Sequence, residues 1–161
     1  MPADIEIIVN EPALLPHFKS INEEWITEMF ALEKTDREVL ENAQALIVER
    51  GGKILYAHHP ELGVVGTCAL LKKAERAFEL TKMGVLKNAR GLKVGEQLLQ
   101  AAIALAKELQ IDNLFLLTNH RCEAAIHLYR KNGFRDDCDI MQTYGPLYQR
   151  CDVAMRYFDQ Q

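Results

Sequence analysis

The stretch Arg90-Gly91-Leu92-Lys93-Val94-Gly95 places two basic side chains and two glycines between an apolar run ending at Val85 and a long amphipathic pattern. A turn of this composition, with a helix starting from it, can aim several backbone N–H groups at one anion. The positive end of the helix dipole adds to that attraction, so the turn suits a diphosphate. The other reading is a solvated turn ahead of an ordinary helix. Two familiar phosphate loops do not fit. No Lys-Ser or Lys-Thr pair follows the second glycine, and the glycines are too few for a dinucleotide fingerprint. Nearby residues could move protons. Glu79 reads as an exposed strand carboxylate or as a general base, and His120 as a base or as a loop residue. Cys122 stands near a helix start, which can lower a thiol pKa, but no histidine–cysteine pairing supports a covalent relay. Cys68, Cys122, Cys138 and Cys151 are far apart with no C-x-x-C pair, so neither a zinc site nor a disulfide scaffold is expected.

The elements that must position these groups follow from periodicity. Residues 5–9 are a short apolar strand candidate closed by Asn10, Glu11 and Pro12. Across residues 14–32, Leu15, Phe18, Ile21, Trp25, Ile26, Met29 and Phe30 recur at spacings of three and four, which predicts a helix. Thr35 or Asp36 then caps a second helix ending before Gly51-Gly52, with Glu38 completing a capping box with Thr35. After the double glycine the pattern changes. Residues 54–58, 64–71 and 77–85 read as strands whose links are too short for a crossover, hence an antiparallel meander.

The helix opened by the loop carries Leu98, Leu99, Ala102, Ile103, Ala106 and Leu109 on one stripe. Residues 114–117 are wholly apolar, like a strand buried on both faces. A right-handed crossover would lay them parallel to the third meander strand. Another helix spans residues 123–131, stopped by Asn132-Gly133, and strands near 134–138 and 152–158 close the chain. His58 and His59 read as surface residues at a strand end. The fold class expected is α+β, a mixed and mostly antiparallel central sheet flanked by helices. With no linker, repeat or low-complexity tract, residues 1–161 read as a single domain.

Composition narrows the class. Hydrophobic residues make up 48% and charged ones 26% of 161 residues, as in globular chains. The net charge of −4 gives no basic field, so nucleic acid is not an expected partner. No run reaches the roughly 18 apolar residues a membrane span needs. The first six residues carry acids and no basic-then-apolar leader. A cytoplasmic protein without a membrane partner is the expectation.

The order of elements and three segments resemble the GNAT superfamily of acyl-CoA-dependent N-acetyltransferases. The first is Glu79-Leu80-Thr81-Lys82-Met83-Gly84-Val85, similar to the family's fourth strand, which an acidic residue often opens. The second is the loop, where Arg90 and Gly95 fill the outer places of Q/R-x-x-G-x-G/A. The third, Ala125-Ile126-His127-Leu128-Tyr129-Arg130-Lys131-Asn132-Gly133-Phe134, is similar to the family's alanine-x-x-leucine-tyrosine and glycine-phenylalanine segment. Together they cover residues 79–134. The family's first loop glycine corresponds to Lys93, whose Cβ resists positive φ, so a differently shaped loop or weaker CoA binding is expected.

The resemblance implies an acetyl transfer from acetyl-CoA to a primary amine by direct attack in a ternary complex, without metal. Arg90, Gly91, Leu92, Lys93, Val94 and Gly95 would hold the diphosphate. Met83, Gly84 and Val85 would present backbone to the pantetheine arm, and Asn119 would hydrogen-bond it or simply form a turn. Tyr129 would protonate the departing thiolate, or else only pack. Glu79 becomes the leading base, ahead of His120. Trp25, Met29 and Phe30 fall where the acceptor pocket is usual, and Tyr144 and Tyr148 could line the same cleft. The acceptor is a small-molecule or peptide amine, which the acidic balance inclines toward a cationic one, and a homodimer is possible. The alternative is a GNAT-fold protein that binds CoA without catalysis, as a sensor or partner subunit.

Overall fold

Seven strands form one sheet in the order β1-β2-β3-β4-β5-β7-β6 in the computed structural model, which describes residues 4–159. Residues 1–3, the start of the stretch read as carrying no leader, lie outside them. β1 (Glu6–Val9), β2 (Lys53–His59), β3 (Gly63–Ala74) and β4 (Ala77–Val85) pair antiparallel in sequence order. β5 (Asn113–Thr118) lies parallel to β4, as a crossover through α3 (Val94–Glu108) allows. β7 (Val153–Tyr157) inserts between β5 and β6 (Phe134–Asp136), antiparallel to both.

Helices cover both faces. α1 (Leu15–Met29) and α2 (Lys34–Glu41) pack with the π-helical turn Gln44–Val48 over one face, burying Phe18, Ile21, Val39 and Ile47 against Ile54, Tyr56 and Ala69. α3 buries Leu98, Leu99, Ala102, Ile103 and Ala106 on the other, as read from the spacing, whereas Leu109, expected on the same stripe, is the C-cap residue and exposed. α4 (Glu123–Lys131) joins that core through Tyr129, and Gly133 beyond it takes φ +107.

Four expectations are corrected. The cap of α2 is Glu33, not Thr35 or Asp36: its side chain accepts from the N3 backbone, and the Glu33 N–H donates to Asp36 at 2.9 Å. Helix did not continue unbroken to the double glycine, because Asn42 leaves helical geometry and the chain resumes as the π turn. The strand expected over 134–138 stops at Asp136. There Asp137 accepts from the Ile140 N–H at 3.0 Å and starts α5 (Cys138–Tyr144). His59 is buried, and its Nδ1 accepts from the N–H groups of Glu61 and Leu62.

Gly84 shows how tightly α1 lies on β4. A Cβ there would stand 2.4 Å from Trp25 Cδ1 and 2.8 Å from its Nε1. The indole cannot step aside, since Nε1 donates to Asn22 Oδ1 at 2.8 Å and buried Asn22 donates to the Phe18 carbonyl. Gly84→Ala should therefore cost about 1–3 kcal/mol of stability, read as a lowered denaturation midpoint. An unchanged midpoint would mean that Trp25 does not seat on this strand.

Candidate active site

β4 and β5 share three pairs, Ala77↔Asn113, Phe78↔Leu114 and Glu79↔Phe115, and then part. β5 continues on β7, while β4 keeps only β3 beside it. One extra residue in β4 between the pairs Ala69↔Thr81 and Thr67↔Gly84 makes a bulge, with Lys82 at φ +54. The open side of β4 faces a cavity of about 420 Å³. Glu79, Met83, Gly84 and Val85 line it from β4. Arg90, Gly95, Asn119 and Tyr129 line it from the loop and from beyond β5. Gly91, Leu92, Lys93 and Val94 are not on its wall; Val94 is buried in the core, and Gly91, Leu92 and Lys93 are exposed.

The loop turns through Gly91 at φ +89 and Lys93 at φ +61, ψ +25, and Lys93 is the N-cap residue of α3. The lysine thus takes the left-handed conformation that a glycine takes readily, at a cost of about 1–2 kcal/mol. Lys93 makes no side-chain cap bond, so the first N–H groups of α3 are open to a ligand. A Cβ on Gly95 would meet only Leu128 at 3.7 Å and Val85 at 3.9 Å. Packing within the chain does not demand glycine there.

Glu79 is buried, not the exposed carboxylate of the plainer reading. Its Oε1 has no hydrogen-bond partner, and the Lys73 ammonium stands 3.8 Å away. Burial pushes its pKa above the usual carboxylate range, against the opposing pull of Lys73 and Lys82. Tyr129 is buried with its ring tilted on Phe134, centroids 5.9 Å apart, and burial raises its pKa, keeping the hydroxyl protonated. His120 does not reach the cavity; it pairs with Asp152 at the surface. Asn119 spends its side chain on backbone, donating to the Arg150 carbonyl at 2.7 Å and accepting from the Arg121 N–H at 2.9 Å. Cys122 and Cys151 line the cavity as free thiols. No metal-binding cluster occurs among the described residues.

Trp25, Met29, Phe30 and Tyr148 also line the cavity. Tyr144 does not; it stacks on Phe115 at 4.4 Å instead. Beside Tyr148 lies a buried ionic cluster that sequence reading missed. Lys82 Nζ donates to Asp36 Oδ1 at 2.7 Å and to the Tyr148 hydroxyl at 3.1 Å. Arg150 grips both Asp36 oxygens at 2.7 Å and reaches Glu33 at 3.3 Å. Burial works to raise the Asp36 pKa, but Arg150 and Lys82 outweigh it and hold the carboxyl at about 2. Burial likewise works against a charged Lys82, yet Tyr148 and Asp36 raise its pKa above the ordinary lysine value. A lysine inside an apolar strand was the available signal, but its partners are remote in sequence.

Asp36→Asn would leave Lys82 and Arg150 short of a buried counter-charge. It should destabilise the protein by about 3–5 kcal/mol, measured by chemical denaturation; a loss below 1 kcal/mol would contradict this burial. Glu79 should give the opposite slope to an ordinary paired carboxylate. Above its unfolded value of 4.5 the unfolded chain has lost that proton while the folded one keeps it. Stability should therefore fall as pH rises from there toward the folded pKa, then level. Glu79→Gln should remove this component from a pH series of denaturation curves; an unaltered slope would refute it.

The sequence pattern described as "Acetyltransferase (GNAT) domain" matches residues 41–136. No curated protein matches in sequence. A GNAT-family acetyltransferase of Staphylococcus aureus Mu50 is similar in structure, with a TM-score of 0.83, 25% identity, and coverage of 95% of this chain and 98% of that one. The PaiA N-acetyltransferase of Thermoplasma acidophilum, solved in complex with coenzyme A, gives a TM-score of 0.74 at 20% identity, covering 97% and 99%. An IAA acetyltransferase of Bacillus cereus gives 0.70 at 19%, covering 96% and 99%. At those two identities the likeness is one of fold. With the domain match extending over more than half of it, this chain belongs to the GNAT acetyltransferase family and carries its fold.

Proposed function

We propose that residues 1–161 form one domain that moves an acetyl group from acetyl-CoA to a primary amine by direct attack in a ternary complex. The parting of β4 from β5 over a cavity that joins the Arg90–Gly95 turn carries the reading. The fit of the CoA portion rests on that turn. Uncapped N–H groups at the start of α3, with Arg90 on the cavity wall, suit a diphosphate. The open flank of Gly95 leaves room for close approach. The unpaired edge of β4 at Met83, Gly84 and Val85 can bond an amide-bearing arm as a strand would.

When bound, acetyl-CoA supplies a thioester carbonyl open to attack and a thiolate leaving group. Glu79 takes the proton that the substrate ammonium must lose, directly or through water. Its raised pKa makes it a better base near neutrality than an ordinary carboxylate. A backbone N–H of β4 can stabilise negative charge on the carbonyl oxygen. The Tyr129 hydroxyl, kept protonated by burial, donates to the departing sulfur. A CoA-binding sensor without catalysis was the alternative because of Lys93. The left-handed Lys93 backbone supports a loop that keeps its binding shape. No described helix is long and apolar enough to cross a membrane; a cytoplasmic site of action is part of the proposal.

Gly95→Ala separates binding from folding. Inside α3 an alanine should stabilise the free protein by about 0.5–1 kcal/mol. It should also weaken the thermal stabilisation that wild-type protein shows with CoA or acetyl-CoA. Wild-type protein should release thiol from acetyl-CoA only when a primary amine is added. No stabilisation by CoA, or full stabilisation of the variant, would overturn the assigned diphosphate site.

A further inference from the structure

One wall of the cavity is a row of cations interleaved with rings. The Arg121 guanidinium lies 5.0 Å from the Phe30 ring centroid, and that of Arg150 lies 5.7 Å from the same ring. Arg150 is also 4.9 Å from the Tyr148 ring, and Lys82 Nζ is 4.7 Å from it. Arg150 and Lys82 are matched from behind by Asp36 and Glu33, two charges against two. Arg121 is not matched: it makes no ion pair among the described residues. Asn119 fixes it beside Arg150, because its side chain bonds the backbone of both. The acids on the cavity wall are Glu79, buried where the β4–β5 pairing ends, and Glu123, exposed in the first turn of α4. Of the residues lining the cavity, Glu79 has a buried side-chain oxygen, Oε1, with no hydrogen-bond partner.

We propose that the acceptor is a primary amine carrying a carboxylate on an apolar body, the chemistry of a free amino acid with an apolar side chain. The proposal rests on the acetyltransferase reading above. The carboxylate pairs with Arg121, flanked by Arg150; the ammonium turns to Glu79; and the apolar body lies on Trp25, Met29 and Phe30. Arg121 is exposed, with its guanidinium over the Phe30 ring and its backbone N–H held by Asn119, so its planar fork is free to meet a carboxylate. A second ammonium on the acceptor would meet the unpaired Arg121, with only the solvent-exposed Glu123 of that wall to offset it. The cationic acceptor suggested by the net charge is therefore disfavoured. Arg121 is a specificity residue here, outside the proton transfers.

The test uses matched pairs, leucine against isoamylamine and phenylalanine against phenethylamine, with spermidine as the polycation. Thiol release from acetyl-CoA by the intact chain gives kcat/KM. Thermal stabilisation in the presence of CoA gives binding without turnover. The carboxylate member of each pair should be favoured roughly ten- to hundredfold, and spermidine should be a poor acceptor. Arg121→Gln should remove the preference by raising KM for the amino acid alone, leaving the KM for acetyl-CoA unchanged. Arg121→Lys should restore part of it. Equal or better use of the decarboxylated amines or spermidine would overturn the proposal. So would an Arg121→Gln variant that loses both members of a pair equally. If no amine releases thiol but carboxylate-dependent binding persists and Arg121→Gln abolishes it, the carboxylate site at Arg121 stands and the transferase reading fails. If neither member of a pair binds or reacts, the acceptor assignment is wrong.

Discussion

Three residue pairs hold β4 to β5, and the cavity beside β4 depends on there being only three. A sheet whose strands stay paired offers no interior edge, because its peptide groups bond one another. Here β5 passes to β7 at Phe115↔Arg156, and the bulge at Lys82 re-aims β4. A stretch of β4 backbone is left facing a cavity, a position that sheets usually cover. The geometry is economical. The same split that opens the β4 main chain to the cavity sets Glu79 at its vertex, buried and with Oε1 lacking a hydrogen-bond partner.

Such a split needs something to fix its width, and the ionic cluster does this. Lys82 comes from the bulge on β4, Asp36 from the first turn of α2, and Arg150 and Tyr148 from the segment entering β7. The cluster therefore ties both sides of the opening to the helical cover. The Glu33 carboxylate reinforces the tie by accepting from the Gln149 and Arg150 N–H groups. A buried ion network of this kind adds little net stability compared with apolar packing. What it provides is registry, since bidentate bonds tolerate small displacements poorly. The bulge is part of the same device, because it turns Lys82 toward Asp36.

Local signals were readable in the chain and remote pairings were not. The meander, the α3 stripe, the parallel β5 and the end of α4 at Gly133 follow from spacing over a few residues, and each is present. α5 escaped, although Asp137 with Ile140, Met141 and Tyr144 is a capped helical pattern; seven residues were too few to outweigh the strand-like start at Phe134. The cap of α2 was misplaced by two or three residues because Glu33, Thr35 and Asp36 compete for the role, and only the fold spends Asp36 on Lys82 and Arg150. Of the residues singled out through motif spacing, Arg90, Gly95 and those of β4 line the cavity, and Gly91, Leu92, Lys93 and Val94 do not. The Asp36–Arg150 pair, 114 residues apart, has no local mark at all. Gly84 was singled out for close approach, and the partner that approaches is Trp25.

Net charge was the least informative quantity about the pocket, for a reason that lies in screening. Charges on the outer surface act through water and salt, and their influence fades over about 8 Å at physiological ionic strength. Charges on a cavity wall act on a ligand at contact, through a medium that screens far less. An overall balance of −4 therefore coexists with a wall on which Arg121, Arg150 and Lys82 stand in a row. Desolvation sharpens the contrast. It favours the neutral form of Glu79, the acid nearest the vertex, while Lys82 stays charged because Asp36 and Tyr148 compensate its burial. The local sign is set by which groups found partners during folding, and Arg121 is the cation on that wall that found a ring in place of a carboxylate.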